Sequence, residues 1–402
     1  MFPAHKSERR LPMDWPMLLA LLGLMLLGVA FIYSARLAFE AEMQSSLIKQ
    51  SFFKQIIWYA LGLGALYAVS LVDYRILARW SLVVYWGAII LLIAVLIPFI
   101  GSMRFGARRW IDLGFFQLQP SEFAKLAFIL ALAHFLSRPP DELRQPRIFI
   151  KALGFLALPF GLIMKEPDLG SALVLVPVGL AMLYVAGAPV VFLRRLVVAV
   201  AALMALLLVD VFFAPEQWQV KLQDYQRRRL LVYFGQDFAP PNGTAAELKR
   251  ARLQRRNDSY NVEQALISVG SGGLTGKGWR QGTQNALGYL PRAVAHNDFI
   301  FSVIAEESGF VGSVVVLSLY AVVLFTGIRI AGQARDRLGK LLAVGVVTLL
   351  FSHVFINIGM NIRLMPVTGV PLPLLSYGGS SVLGSLIAAG LLQNIHIHRR
   401  SY

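Results

Sequence analysis

The chain has no cysteine. That excludes a disulfide and any cysteine metal site. Charge is also scarce: Asp, Glu, Lys and Arg make up 15% of the 402 residues, against roughly 25% in a soluble globular chain. Acidic side chains are the scarcer sign, 22 against 38 Lys and Arg. Apolar residues fill the place of the missing charge, at 57% with a mean hydropathy of +0.62. This is the composition of an integral membrane protein, so length does not translate into a number of domains. The chain reads as one polytopic membrane domain over 1–402.

Apolar runs near 15–35, 52–72, 80–100, 121–137, 149–165, 169–187, 195–213, 299–328, 339–361 and 376–396 each approach the roughly 20 residues of a spanning helix. The expectation is an all-α membrane protein of about ten spans, with 121–137 and 149–165 short. Alternate connections and the two ends hold 17 Lys and Arg, from Lys6, Arg9 and Arg10 to Arg399 and Arg400; the opposite short loops hold 8. The positive-inside bias makes the first set cytoplasmic, with both termini. The first run exceeds a signal-peptide core of roughly 7–15 residues and reads as a signal anchor. A net charge of +16 suits an anionic bilayer and an anionic lipid-linked substrate, and it equally serves to set topology.

Residues 214–298, between the seventh and eighth spans, form one large extracytoplasmic loop in this reading. Gln217 to Leu231 reads as a helix with Trp218, Leu222, Tyr225 and Leu230 on one side, either in the membrane interface or in an ordinary loop. Asp237 to Arg256 is polar and basic and reads as a flexible insertion. Its location argues against nucleic-acid binding. The sequons at Asn242 and Asn257 read as chance matches. Glycines 270, 272, 273, 276 and 278 make a backbone able to approach a ligand closely. They do not make a nucleotide loop: Lys277 precedes Gly278 where Ser or Thr is required, and Ser271 stands where the first glycine belongs.

Asp298 stands where this polar loop meets an apolar run. An ionisable group at membrane depth is a functional candidate by default. Other polar groups map to the same side. Glu122 and Lys125, three apart, share a helix face. Asp168 follows an outer turn. His353, Asn357 and Asn361 form a stripe at intervals of four, and Arg363 lies just beyond. Helix packing and a structural ion pair are the plain readings of the stripe and of Glu122–Lys125. Arg109, Glu122, Lys125, Asp168, Asp298 and Arg363 together suit a cavity for an anionic group, with one carboxylate as base.

These residues fall in motifs. They are Arg109-Trp110-Ile111-Asp112-Leu113-Gly114, Gln119-Pro120-Ser121-Glu122 with Lys125, and Pro167-Asp168-Leu169-Gly170. Further on come Tyr260-Asn261, Gly270-Ser271-Gly272-Gly273-Leu274 with Gly276-Lys277-Gly278, Asp298-Phe299-Ile300-Phe301 with Ala305-Glu306-Glu307, and Pro371 to Ser380. In these motifs the chain resembles the SEDS family (shape, elongation, division and sporulation), and within it the RodA-like branch. The resemblance runs from the first span to Arg400. It departs at Asn297, where the family often has Thr, and in the long basic segment 238–256. Val370 to Leu374 and the His396-Ile397-His398-Arg399 tail favour the elongation branch over the division (FtsW-like) branch.

The resemblance implies a ten-helix peptidoglycan glycosyltransferase of the bacterial cytoplasmic (inner) membrane. Its substrate would be lipid II and its partner a class B penicillin-binding protein. Asp298 would be the catalytic residue. Arg109, Glu122, Lys125, Asp168, Lys277, Arg363, Ser376 and Ser380 would be substrate-binding. A sugar 4-hydroxyl attacks an anomeric carbon and pyrophosphate leaves. The α-linked donor and β-linked product of the family imply one inverting displacement, for which a single base suffices. Arg109, Lys125 and Arg363 would meet the pyrophosphate, alone or with a divalent cation, Mg or Mn. Two rival classes use the same features differently: a lipid II flippase with the polar cavity as its path, and a scaffold for the penicillin-binding protein, which would not need clustered ionisable groups.

Overall fold

The computed structural model describes residues 13–42, 50–104, 107–114, 116–213, 231, 233–234, 259–290 and 295–399. The expected interfacial helix at 217–231, apart from Leu231, and the basic insertion lie outside these residues. Apolar runs become helices because a backbone away from water must satisfy its own N–H and C=O groups. In chain order they are α1 (Trp15–Glu42), α2 (Ser51–Leu71), α3 (Tyr74–Arg79), α4 (Ser81–Leu96), α5 (Pro120–Leu136), α6 (Pro140–Leu143), α7 (Pro146–Lys165), α8 (Leu169–Ala186) and α9 (Val190–Phe213). Residues 259–271 form α10. Then come α11 (Thr283–Ala286), α12 (Ile300–Gln333), α13 (Arg337–Asn361) and α14 (Gly379–His398).

Among the described residues, eight helices are long and apolar enough to cross a membrane: α1, α2, α7, α8, α9, α12, α13 and α14. The remaining two expected runs are shorter helices, α4 with 16 residues and α5 with 17. At 1.5 Å per residue they rise about 24–26 Å, short of a hydrocarbon core of roughly 30 Å. The run at 149–165 is longer than its apolar residues suggest, because α7 starts at Pro146, where a missing N–H costs nothing.

One small sheet interrupts the helical pattern. Strands β1 (Gly101–Arg104), β2 (Ala107–Asp112) and β3 (Gln117–Leu118) pair antiparallel in that order between α4 and α5. The turn after β2 uses Gly114 at φ 82°, whose N–H donates to Asp112 Oδ1 at 3.0 Å. This sheet carries Arg109.

The centre of the bundle is α14, almost wholly buried, with the largely buried α13. Association in lipid needs close backbones rather than a hydrophobic drive. Gly390 of α14 supplies one: a Cβ there would stand 2.9 Å from the Leu66 carbonyl oxygen of α2. The opposite case is α9, almost wholly exposed.

Helix α12 is broken at Gly309, whose backbone is at φ 65° and ψ −159°. The glycine-rich limb supplies the partners the break leaves over. Phe310 N–H donates to Gly273 O at 2.9 Å and Val311 N–H to Leu274 O at 3.1 Å. In return Lys277 N–H donates to Glu306 O at 3.0 Å and Gly278 N–H to Glu307 O at 2.9 Å. A Cβ at Gly272 or Gly276 would collide with this helix backbone. The close approach these glycines allow is made to α12 itself.

Candidate active site

Asp298 lies one residue before the Phe299 that caps α12 and is half-buried. Its peptide oxygen accepts from two side-chain amides of α13, Asn357 Nδ2 and Asn361 Nδ2, each at 3.1 Å. Asn357 Nδ2 also donates to Val370 O at 2.8 Å, and Asn361 Oδ1 accepts from Ser302 Oγ at 2.6 Å. Both asparagines are fully buried, so every bond replaces one that water would otherwise supply. The Asp298 carboxylate comes within 3.6 Å of where a Gly369 Cβ would be.

The other edge of the Asp298 turn is held by the segment before α14. Ser376 Oγ donates to Asn297 O at 2.6 Å and accepts from Leu372 N–H at 2.8 Å. Tyr377 N–H donates to His296 O at 3.0 Å. Gln55 of α2 holds that segment in turn, donating to Ser376 O at 3.2 Å and accepting from Gly378 N–H at 3.3 Å. His296 is buried; burial, with the Arg36 charge behind it, pushes its imidazole down to about 3, so it is neutral at pH 7.

Arg109 reaches the turn between α7 and α8. Its Nε donates to Glu166 O at 3.2 Å, an Nη donates to Pro167 O, and the other stands 3.8 Å from Asp168 Oδ1. Asp168 caps α8 through Ser171 N–H at 3.2 Å and accepts from Gln119 Nε2 at 3.2 Å. Ser380 ties β3 and the start of α5 to α14, accepting from Gln119 N–H at 3.0 Å and donating to Gln117 O at 3.1 Å. Gly170 packs against Thr368 and Val370. The Arg109–Asp168 turn and Asp298 therefore meet on one short segment, Thr368 to Val370.

Glu122 and Lys125 lie deeper, at 4% and 1% exposure, paired at 2.8 Å. Lys125 Nζ also meets His353 Nε2 of α13 at 2.9 Å. Lys277 is engaged elsewhere: its Nζ stands 2.6 Å from Glu306 Oε1 and 2.7 Å from Thr283 Oγ1, which pins the glycine-rich limb to α12. Arg363 is exposed and follows the end of α13 at φ 60°.

The structure thus joins Arg109, Asp168, Asp298, Ser376 and Ser380 through shared segments, and joins Glu122 and Lys125 to them through α5 and α13. Gln55, Glu166 and His296 are parts that motif and spacing did not single out. Gln55 had one usable signal, an amide inside an otherwise apolar helix.

A family profile for cell cycle proteins, FtsW/RodA/SpoVE, matches residues 14–401. Peptidoglycan glycosyltransferase MrdB of Escherichia coli K12 is 36% identical over 390 residues, covering 96% of this chain and 94% of its own. Stage V sporulation protein E of Bacillus subtilis is also 36% identical, over 96% of this chain and 97% of its own. Among solved structures, a chain of a peptidoglycan synthase complex that coordinates polymerization and crosslinking superposes with a TM-score of 0.75 at 28% identity, covering 98% of this chain and 100% of that one. The rod shape determining protein RodA of Thermus thermophilus gives 0.66 at 27%, covering 97% and 98%. The chain belongs to the FtsW/RodA/SpoVE family of cell cycle proteins.

Proposed function

We propose that this chain is a peptidoglycan glycosyltransferase that polymerises lipid II at the extracytoplasmic face of the bacterial cytoplasmic membrane, with Asp298 as general base. The observation that carries the reading is how Asp298 is held. Two buried amides fix its peptide at 3.1 Å, while the residue itself is only half-buried. A base needs a fixed backbone and a reachable carboxylate.

Asp298 takes the proton of the acceptor sugar's 4-hydroxyl. That oxygen bonds to the donor's anomeric carbon as the bond to pyrophosphate breaks, with inversion. Arg109 and exposed Arg363 receive the pyrophosphate, and the buried Glu122–Lys125 pair, closed on itself at 2.8 Å, holds α5 beneath them. Asp168 sets Arg109. Lys277, Ser376 and Ser380 serve the substrate indirectly, bracing the glycine-rich limb, the Asp298 turn and the start of α5. Among the described residues no three His, Asp or Glu side chains converge as cation ligands, so a Mg or Mn ion would arrive with the pyrophosphate rather than sit in a protein cage.

Elongation is the favoured setting, on the MrdB and RodA names of its relatives. A class B penicillin-binding protein is the favoured partner, on the likeness to a chain of a polymerizing and crosslinking complex.

The test gives purified protein fluorescent lipid II. Wild type should make polymer. D298N, which keeps shape and loses proton acceptance, should be slower by about a hundredfold or more and still bind lipid II. Polymer at the wild-type rate from D298N would remove Asp298 as base. Transbilayer movement without polymer would make the protein a flippase.

A further inference from the structure

His353 lies on α13 one turn from Asn357 and two from Asn361, so the three side chains share a face with about 6 Å between successive positions. That face does two jobs. Its asparagines hold the Asp298 peptide. Its histidine meets Lys125 of α5 at 2.9 Å. An ammonium has only protons to give, so His353 Nε2 accepts and the ring proton sits on Nδ1. The contact is sealed, with His353 at 3% exposure and Lys125 at 1%.

Helix α5 also sets the Arg109 side of the site. Gln119, at its N-cap, donates to Asp168 at 3.2 Å, and Asp168 stands 3.8 Å from Arg109. Any slip of α5 against α13 therefore changes the spacing between Arg109 and Asp298. In the described residues His353–Lys125 is the polar bond between these two helices that opposes such a slip.

We propose that His353 is a positioning residue for glycosyl transfer: by accepting from Lys125 it locks α5 to α13 and so fixes the leaving-group cation at a set distance from the base. This rests on the reading of Asp298 as base and Arg109 as pyrophosphate ligand.

Lipid II polymerisation kinetics of purified variants test it. H353L removes the acceptor, and kcat should fall about tenfold to a hundredfold, as for a reacting group displaced by up to an ångström. KM should change little. H353Q presents an amide oxygen near the Nε2 position and should recover most of the rate. H353N is too short to reach and should behave like H353L. In a K125M background H353L should cost nothing more, because the bond is already gone. Wild-type kcat in H353L overturns the proposal. So do equal losses in H353Q and H353N, or a full further loss in K125M/H353L. If H353L does not fold, the H353Q against H353N contrast decides. Wild-type polymerisation by D298N would fell the base assignment alone, since the Lys125–His353 coupling stays readable in the same assay.

Discussion

Two ion pairs of like composition stand on α5 and just before α8, and they are held differently. Glu122–Lys125 is closed: 2.8 Å apart, nearly without exposure, with His353 taking another Lys125 proton. Arg109–Asp168 is open. The charges stand 3.8 Å apart, Arg109 keeps 15% exposure, and its other donors go to the neutral carbonyls of Glu166 and Pro167. Asp168 is meanwhile occupied by the α8 cap and by Gln119. A carbonyl orients a guanidinium without cancelling its charge. In the proposed reaction the open pair is the cation that meets the pyrophosphate, while the closed pair joins helices. Charge type alone does not separate the two uses; the partners do.

Breaking the closed pair should have the largest effect of the two. E122Q or K125M leaves one charge buried without its counterion, a loss of roughly 3–5 kcal/mol. The double variant should lose less than the sum. Thermal unfolding in detergent, with polymerisation rates alongside, reads both. Strictly additive losses would mean the two residues do not interact, and the contrast with Arg109 would collapse. The open pair should fail differently. R109M should lower kcat/KM about tenfold to a hundredfold, the scale of a charge-assisted hydrogen bond at roughly 1.5–3 kcal/mol, with a smaller drop in unfolding temperature than K125M, because Asp168 keeps the α8 cap and Gln119. R109K should recover only part of this, because a point charge cannot replace the fork. A drop in stability as large as that of K125M would show Arg109 to be structural.

The helices and the membrane class were legible because hydrophobic length needs no tertiary information. The sheet at 101–118 was not, since Arg-Arg-Trp-Ile-Asp offers no clean alternation and its pairing is set by turns. The break at Gly309 was hidden in an unbroken apolar run; it depends on bonds from residues some thirty-five positions earlier, Gly273 and Leu274. Asp298 and the stripe of α13 were visible as polar groups out of place. What the stripe does was not, because spacing puts His353, Asn357 and Asn361 on one face without naming what they meet. Lys277 was expected among the substrate-binding residues, and its partner Glu306 appears only when the glycine-rich limb folds back onto α12.

Glu166 offers the subtlest test of the open pair. It lies between the α7 and α8 spans with no exposure, and neither carboxylate oxygen has a hydrogen-bond partner among the described residues. Burial, with the Asp168 charge added, pushes its carboxyl up to about 9, against the opposing pull of Arg109. At pH 7 Glu166 is therefore protonated, and Arg109 faces one carboxylate, Asp168, rather than two. Folding then takes up a proton that the unfolded chain, titrating near 4.5, does not hold. The sign follows: this contribution to stability is complete below about 4.5 and is lost as pH rises toward about 9. E166Q keeps the neutral shape and has no proton to lose. Its unfolding temperature should match wild type near pH 5 and exceed it increasingly up to pH 9. Its polymerisation rate should hold at high pH, where wild type loses activity as a second carboxylate forms beside Asp168 and draws on Arg109. Parallel stability curves for the two proteins from pH 5 to 9 would mean that Glu166 is ionised in the fold, and that Arg109 is already neutralised before any substrate arrives.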